Sequence, residues 1–268
     1  MQLKILDLEN NEKGNIKLPK QFEEDIRPDL IKRAVLSVIS HNRQRYGASP
    51  DAGMRSSGRI SKRRHNYRGS YGLGISRVPR KIFSRRGTRM NWAGAIVPGT
   101  VGGRRAHPPK SEKIFWQKIN KKERKKAIRS AITATVDKEL VSKRGHKVSA
   151  NYPFVMDSSI ENVDKTKKIK EVLVKLGFEK ELKRTEEKKI RAGKGKLRGR
   201  KYSKKKGILI IVSKDCKLLK SAVNIPGIEV CEVKNINVEL LAPGTVPGRA
   251  TLWSKSAIEL LEKEKLFV

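Results

Sequence analysis

The chain has 268 residues and carries 63 Lys and Arg against 27 Asp and Glu, a formal net charge of +36. A charge of that size speaks about partners, not fold, and it points to nucleic acid. An anionic membrane is the poorer match, because the longest clean apolar run, Gly207 to Val212, falls far short of the ~20 residues a span needs, and no basic amphipathic helix with Trp or Phe on its apolar face stands out.

In chain order, Gln2 to Leu8 alternates as a short strand, Glu9 to Asn15 turns the chain, and Ile16 to Leu18 is placed to pair back as a hairpin. The opening residues lack the charged and apolar regions of a secretory leader. Arg27-Pro28-Asp29 then opens a helix, with Leu30, Ile31, Ala34, Val35, Val38 and Ile39 on the face expected to meet the core. Helical spacing resumes over Ser111 to Gly145, with Ile114, Phe115, Ile128, Ala131, Ile132, Thr135, Val136 and Leu140 as core candidates and Lys121, Lys122, Arg124, Lys125 and Arg129 opposite. Tyr152 to Met156 reads as a strand, followed by turn or cap residues Asp157, Ser158 and Ser159. A helix is expected from about Lys165 to Leu176, stopping at Gly177, and another from Phe178 to Arg191. Gly207 to Val212 is a continuous apolar run of the kind a parallel sheet buries on both faces. The pattern then gives a short helix over Lys214 to Val223, a strand over Gly227 to Val233, a helical turn at Val238 to Leu241 and a strand at Ala250 to Trp253. Last comes a helix from Lys255 to Lys265, capped by Ser254. Strands alternating with helices read as an α/β fold with a mainly parallel sheet covered by helices on both faces.

One stretch breaks this alternation. Between Ala52 and Ser111 there is no Asp or Glu, while Arg, Lys and Gly recur without helical or strand period. Residues 46–112 are therefore expected to form a long, basic, extended loop inserted between the first two helices, with residues 1–45 and 113–268 as the globular α/β domain. Fixing each residue's backbone costs ~1–2 kcal/mol, and so few clustered apolar residues cannot offset that by burying one another. The loop is expected to be disordered in isolation and ordered by a polyanion. About 30 residues out and 30 back, at ~3.3–3.6 Å each, bound its reach at roughly 100 Å.

Residues that carry chemistry are sparse. Cys216 and Cys231 lie far apart with no CxxC spacing, and His41, His65, His107 and His146 are scattered, which argues against a disulfide framework and a metal site. Gly69 to Gly74 and Gly193 to Lys196 match neither GxGxxG nor the P-loop, so no nucleotide cofactor is expected. Asp157 is the best catalytic candidate, ending a strand where α/β sheets place ligands, but no partner group is set beside it, so no catalytic residue is assigned. Tyr46, His65, Tyr67, Tyr71, Phe83, Trp92 and His107 have little apolar company among the loop arginines, and stacking on exposed bases is the expected role for most of them. Trp92 is the exception, since the apolar residues after it fit packing against the domain or a partner.

These segments also carry a resemblance. RQRYGASPDAG (Arg43 to Gly53), HNYRGSYGLGISRVPR (His65 to Arg80), GAIVPGTVGGRRAHPPK (Gly94 to Lys110), RAGKGKLRGRKY (Arg191 to Tyr202) and LAPGTVPGRATLWSKSA (Leu241 to Ala257) resemble, in order, the large-subunit ribosomal protein four family, the universal L-four family. The match is closest to its archaeal and eukaryotic branch, and the missing basic C-terminal extension favours an archaeal form. The resemblance implies a non-enzymatic, primary rRNA-binding constituent of the large subunit, in the cytoplasmic ribosome. It implies that the loop threads through rRNA to the wall of the polypeptide exit tunnel.

The partners so implied are large-subunit rRNA, neighbouring large-subunit proteins including L-twenty-two near the tunnel constriction, and the nascent peptide in passing. No cofactor, membrane or homo-oligomer is expected. The loop residues placed at RNA are Arg43, Arg45, Tyr46, Arg55, Arg59, Lys62, Arg63, Arg64, His65, Tyr67, Arg68, Tyr71, Arg77, Arg80, Lys81, Arg85, Arg86, Arg89, Arg104, Arg105, His107 and Lys110. The tip falls within Arg63 to Arg80, with Arg63, Arg64, His65, Tyr67 and Arg68 at the tunnel. The RAGKGKxRGR segment implies a second contact through Lys194, Lys196, Arg198, Arg200 and Lys201, while Lys204, Lys205 and Lys206 lie outside that motif. A general nucleic-acid-binding or RNA-chaperone protein is the alternative the charge alone allows.

Overall fold

A computed structural model describes all 268 residues. The chain divides into two compact units, Met1–Asn42 together with Trp116–Val268, and Arg43–Phe115.

The first unit opens with β1 (Gln2–Leu6) and β2 (Glu12–Lys17), paired antiparallel. β2 begins inside the stretch predicted to turn the chain; its side chains are almost all exposed, so it has no alternation to read. α1 (Pro28–His41) starts at a proline whose fixed φ suits the first helical position, and it buries Ile31, Ala34 and Val35. Ile39, expected on that face, is instead exposed. β3 (Arg80–Arg86) and β4 (Arg89–Gly94) belong to the second unit. α2 (Lys121–Val136) begins ten residues later than the helical period implied, at Asn120, whose backbone N–H donates to Glu123 at 3.4 Å in a capping box. Ile114 is accordingly exposed and Phe115 only half-buried, so neither is a core residue.

After α3 (Lys138–Lys143) come β5 (Val155–Met156), α4 (Thr166–Lys175) and α5 (Glu179–Glu186). The helix expected to run to Arg191 stops at Glu186, and a hairpin of β6 (Lys188–Ile190) and β7 (Tyr202–Lys204) follows. β8 (Leu209–Val212), α6 (Lys217–Ser221), β9 (Glu229–Glu232), α7 (Val238–Leu241), β10 (Thr251–Ser254) and α8 (Lys255–Lys263) complete the unit, and the Ser254 hydroxyl accepts from the Ala257 N–H as the cap of α8.

The sheet has six strands in the order β2-β1-β5-β10-β8-β9, and every pairing but β1–β2 is parallel. This is the α/β architecture the apolar runs implied. Side chains alternate between faces, so β8 sends Leu209 and Ile211 to a cluster with α1, α2 and α8, and Ile210 and Val212 to a second cluster with α4, α5 and α6. Covering both faces is what a run without polar alternation requires.

Each unit has its own internal packing. Deletion of Arg55 to Lys110 is therefore expected to leave the sheet domain folded, with a helical circular dichroism spectrum and a cooperative melt. An unfolded truncation would overturn that boundary.

Candidate nucleic-acid interface

Residues 43–115 hold eighteen Lys and Arg with only Asp51 and Glu112 as carboxylates. Their buried side chains are Ser70, Arg80 and Ala95 alone, so this unit has no hydrophobic core. Backbone pairing organises it instead. At the stem the Ala48 N–H donates to Pro109 O at 2.8 Å, and the two passing segments lie so close that a Cβ on Gly47 would sit 2.3 Å from the Ser111 nitrogen. Farther along, a Cβ on Gly53 would meet the Arg104 backbone at 2.5 Å. Arg59 and Arg80 then exchange N–H···O bonds of 3.2 and 3.1 Å, and Ser61 N–H donates to Arg68 O at 3.0 Å. Beyond these pairings lie the turn around residues 63–68 and the β3–β4 hairpin, which reverses at Gly87-Thr88 with Gly87 at φ +59°. A Gly-X pair between flanking strands is a readable hairpin signal, hidden here because charged residues replace the usual alternation.

With almost no local carboxylates, the arginines engage carbonyls and rings. Arg80 is buried and donates to Ser76 O at 2.5 Å and to the Ser76 hydroxyl at 3.0 Å, so its guanidinium is part of the unit's own scaffold. Arg77 lies 4.4 Å over the Tyr71 ring, Arg43 lies 4.1 Å over Phe115, and Tyr46 stacks on Phe115 with centroids 5.5 Å apart. Such contacts hold cations without neutralising them. The rings of Tyr46, Tyr67, Tyr71, Phe83 and Trp92 thus already have protein partners on at least one side. Arg85 donates to the Tyr67 hydroxyl at 2.9 Å and lowers its pKa. Of the predicted contact residues, Arg80 is buried, Arg68, Tyr71 and Lys81 are half-buried, and all the others, in this unit and in the second basic segment, are exposed.

That second segment is carried by β6 and β7, with a 3-10 turn over Lys194–Arg198 between them that exposes Lys194, Lys196 and Arg198. Arg191 closes it, its N–H donating to Lys201 O at 2.8 Å and its Nε to Arg200 O at 3.2 Å. Lys205 and Lys206, outside the motif, pair with Glu187 and Glu229 at the hairpin's base. Beneath that base lies a buried polar cluster the sequence did not reveal, because its members come from separate elements. Glu181 is 1% exposed and accepts from Arg184 at 2.6 Å, from the His146 ring at 2.7 Å and from the Lys147 N–H at 2.9 Å. Burial pushes its carboxyl up, but these donors outweigh it and bring it down to about 2. Arg184 also donates to Lys206 O at 2.8 Å, tying the cluster to the hairpin. Arg249, fully buried, pairs with Glu229 at 2.6 Å and donates to Gly207 O and Leu240 O, each at 2.8 Å.

Asp157 has structural partners. Lys13 lies 3.0 Å away, the Ser159 hydroxyl donates to it at 2.9 Å, and the Lys13 hydrogen bond leads the interactions that lower its pKa. Glu161, just beyond the β5 end, accepts from the hydroxyls of Ser213, Ser254 and Ser256 at 2.9, 2.6 and 2.6 Å. The crevice at the strands' carboxyl ends, where α/β folds commonly bind ligands, is thus crossed by a closed carboxylate–serine network.

The family model described as "Ribosomal protein L4/L1 family" matches residues 16–264. The chain is 52% identical over 268 residues, all of both chains, to a protein of Nanoarchaeum equitans named large ribosomal subunit protein uL4. It is similar to proteins of the same name from Archaeoglobus fulgidus, at 45% identity over 97% of this chain and 98% of the other, and from Methanocaldococcus jannaschii, at 44% over 98% and 99%.

The Glu181 cluster sets a pH dependence. A carboxyl lowered from 4.5 to about 2 on folding adds stability that is complete above pH 4.5 and is lost as pH falls through about 2. Glu181→Gln is expected to melt at lower temperature near neutrality and to lose less on acidification than the unaltered chain. Parallel melting curves across that range would remove the cluster from the stability of the hairpin base.

Proposed function

The chain belongs to the ribosomal protein L4/L1 family, in its archaeal branch, and from this we infer that it is a structural constituent of the large ribosomal subunit of the cytoplasm, not an enzyme. We read it further as a primary rRNA-binding protein. The sheet domain, residues 1–45 and 113–268, docks on rRNA, and residues 46–112 thread through it toward the exit tunnel. There they form part of the wall beside L-twenty-two, where the nascent peptide passes.

One observation carries this reading: a unit with eighteen cations, two carboxylates and three buried side chains has neither a core nor countercharge of its own. Phosphate supplies the countercharge. Each cation placed against a phosphate releases a condensed counterion, and glycines at the close backbone approaches keep the strands thin enough to fit between RNA helices. Binding and ordering are then a single step, in which contacts with phosphates, bases and 2′-hydroxyls offset the entropy of fixing the chain. The hairpin of β6 and β7 presents Lys194, Lys196, Arg198, Arg200 and Lys201 as a second contact, its base tied through Arg184 to the buried Glu181. Arg80 acts by shaping the insert, while its exposed neighbours meet the RNA.

Two measurements test this. After a wash at ~0.5 M salt, which weakens simple phosphate binding by orders of magnitude, one copy per large subunit is expected to remain. Release into free or DNA-bound fractions would favour a general nucleic-acid-binding protein or RNA chaperone instead. Replacing Arg64, Tyr67 and Arg68 together by Ala is expected to lower the yield of mature subunits or alter their response to tunnel-binding drugs, with the free protein's melting temperature unchanged. Unaltered yield and unaltered drug response would move the tip away from residues 63–68.

A further inference from the structure

At the far end of the insert, the turn that carries Tyr67 and Tyr71 and the tip of the β3–β4 hairpin enclose a concavity of about 680 Å³. Its lining joins the rings of Tyr67, Tyr71, Trp92 and His65 with Leu73 and Met90, so flat and apolar surface makes up part of its wall in a segment that otherwise has no core. Asn66 and Thr88 add an amide and a hydroxyl. Arg68 also lines it, and its Nε is shielded from solvent without a hydrogen-bond acceptor. Two residues of this wall have left-handed backbone, His65 at φ +53° and Arg68 at φ +61°, a strained conformation for side chains of that size.

We propose that this concavity receives one unstacked nucleotide of the rRNA, its base held among Tyr67, Tyr71 and Trp92 and its polar edge facing the Asn66 amide and the Thr88 hydroxyl. The proposal rests on the rRNA-binding reading and adds to it a single-base socket. A base satisfies the three demands of the site together. It has a π-face for the rings, a polar edge for Asn66 and Thr88, and a phosphate for the cations around the rim, among them Arg63. A nascent peptide would bring no fixed negative charge into a neighbourhood without carboxylates, and that is why the base is the better occupant. The socket also gives Trp92, whose ring has Arg80 5.4 Å from its centroid, a role in the insert itself.

The first test uses unaltered large subunits, irradiated with ultraviolet light and digested for mass spectrometry of protein–RNA adducts. A mononucleotide adduct on Tyr67, Tyr71 or Trp92 is expected. The second uses subunits in which Tyr71→Leu or Trp92→Leu removes one ring but keeps apolar bulk, probed with base-modifying reagents. One unpaired base is expected to become about fivefold or more reactive in each, the change that losing ~1 kcal/mol of stacking produces. Adducts on the segments 55–59 or 104–110, with none on the three rings and no reactivity change in either variant, would refute the socket and leave the rRNA-binding reading standing. The absence of any adduct in residues 43–115 would remove that reading itself. In ribosomes carrying a nascent chain, a peptide adduct on these rings in place of a nucleotide would assign the concavity to the peptide.

Discussion

Positive charge that the protein cannot neutralise for itself shapes this molecule. In the sheet domain, carboxylates are close at hand, and they form pairs such as Glu24 with Arg129, Glu181 with Arg184 and Glu229 with Arg249. In residues 43–115 they are nearly absent. The guanidinium groups there turn to the groups that remain, the backbone carbonyl of Ser76 and the rings of Tyr71, Phe115 and Trp92. These contacts give the insert a defined path without cancelling its field.

The sheet domain supplies the rigid counterpart. Burying both faces of β8 and β10 between two helical layers holds these strands in place, and from them the domain sets the base of the β6–β7 hairpin. The charges beneath that base are expensive to bury and add little net stability against apolar residues of equal size. Their effect is directional: Arg184 reaches the Lys206 carbonyl and Arg249 the Gly207 carbonyl, so the chain leaving the hairpin is fixed on two sides. At the strands' carboxyl ends, the Glu161–serine network joins the ends of β5, β8 and β10, so the position an α/β enzyme would use for a ligand serves instead as a brace.

The architecture was legible wherever neighbours in sequence are also neighbours in the structure. The run at Gly207 to Val212, the apolar face of α1 and the Ser254 cap each depend on contacts of fixed local period, and period survives in the sequence. So does charge, which is a sum and needs no fold. Even there the boundaries moved: α2 began only at Asn120, because the capping box, not the first apolar residue, decides where a helix starts.

Composition determined that this protein is a polycation, the distribution of charge set apart its carboxylate-free segment, the order and period of its apolar residues pointed to an α/β remainder, and its ordered segments carried the family resemblance. Only the tertiary structure decided that Arg80 is buried while Arg85 and Arg86 are exposed, that residues 188–204 fold as a hairpin instead of extending α5, and that Trp92 lines the same concavity as Tyr67 and Tyr71. The reason is the same in each case. Arginines look alike in sequence, and which of them meets a carbonyl, a ring or open solvent depends on how the chain folds back on itself, as where the β3–β4 hairpin brings Trp92 to Arg80, and such contacts leave no local period to read.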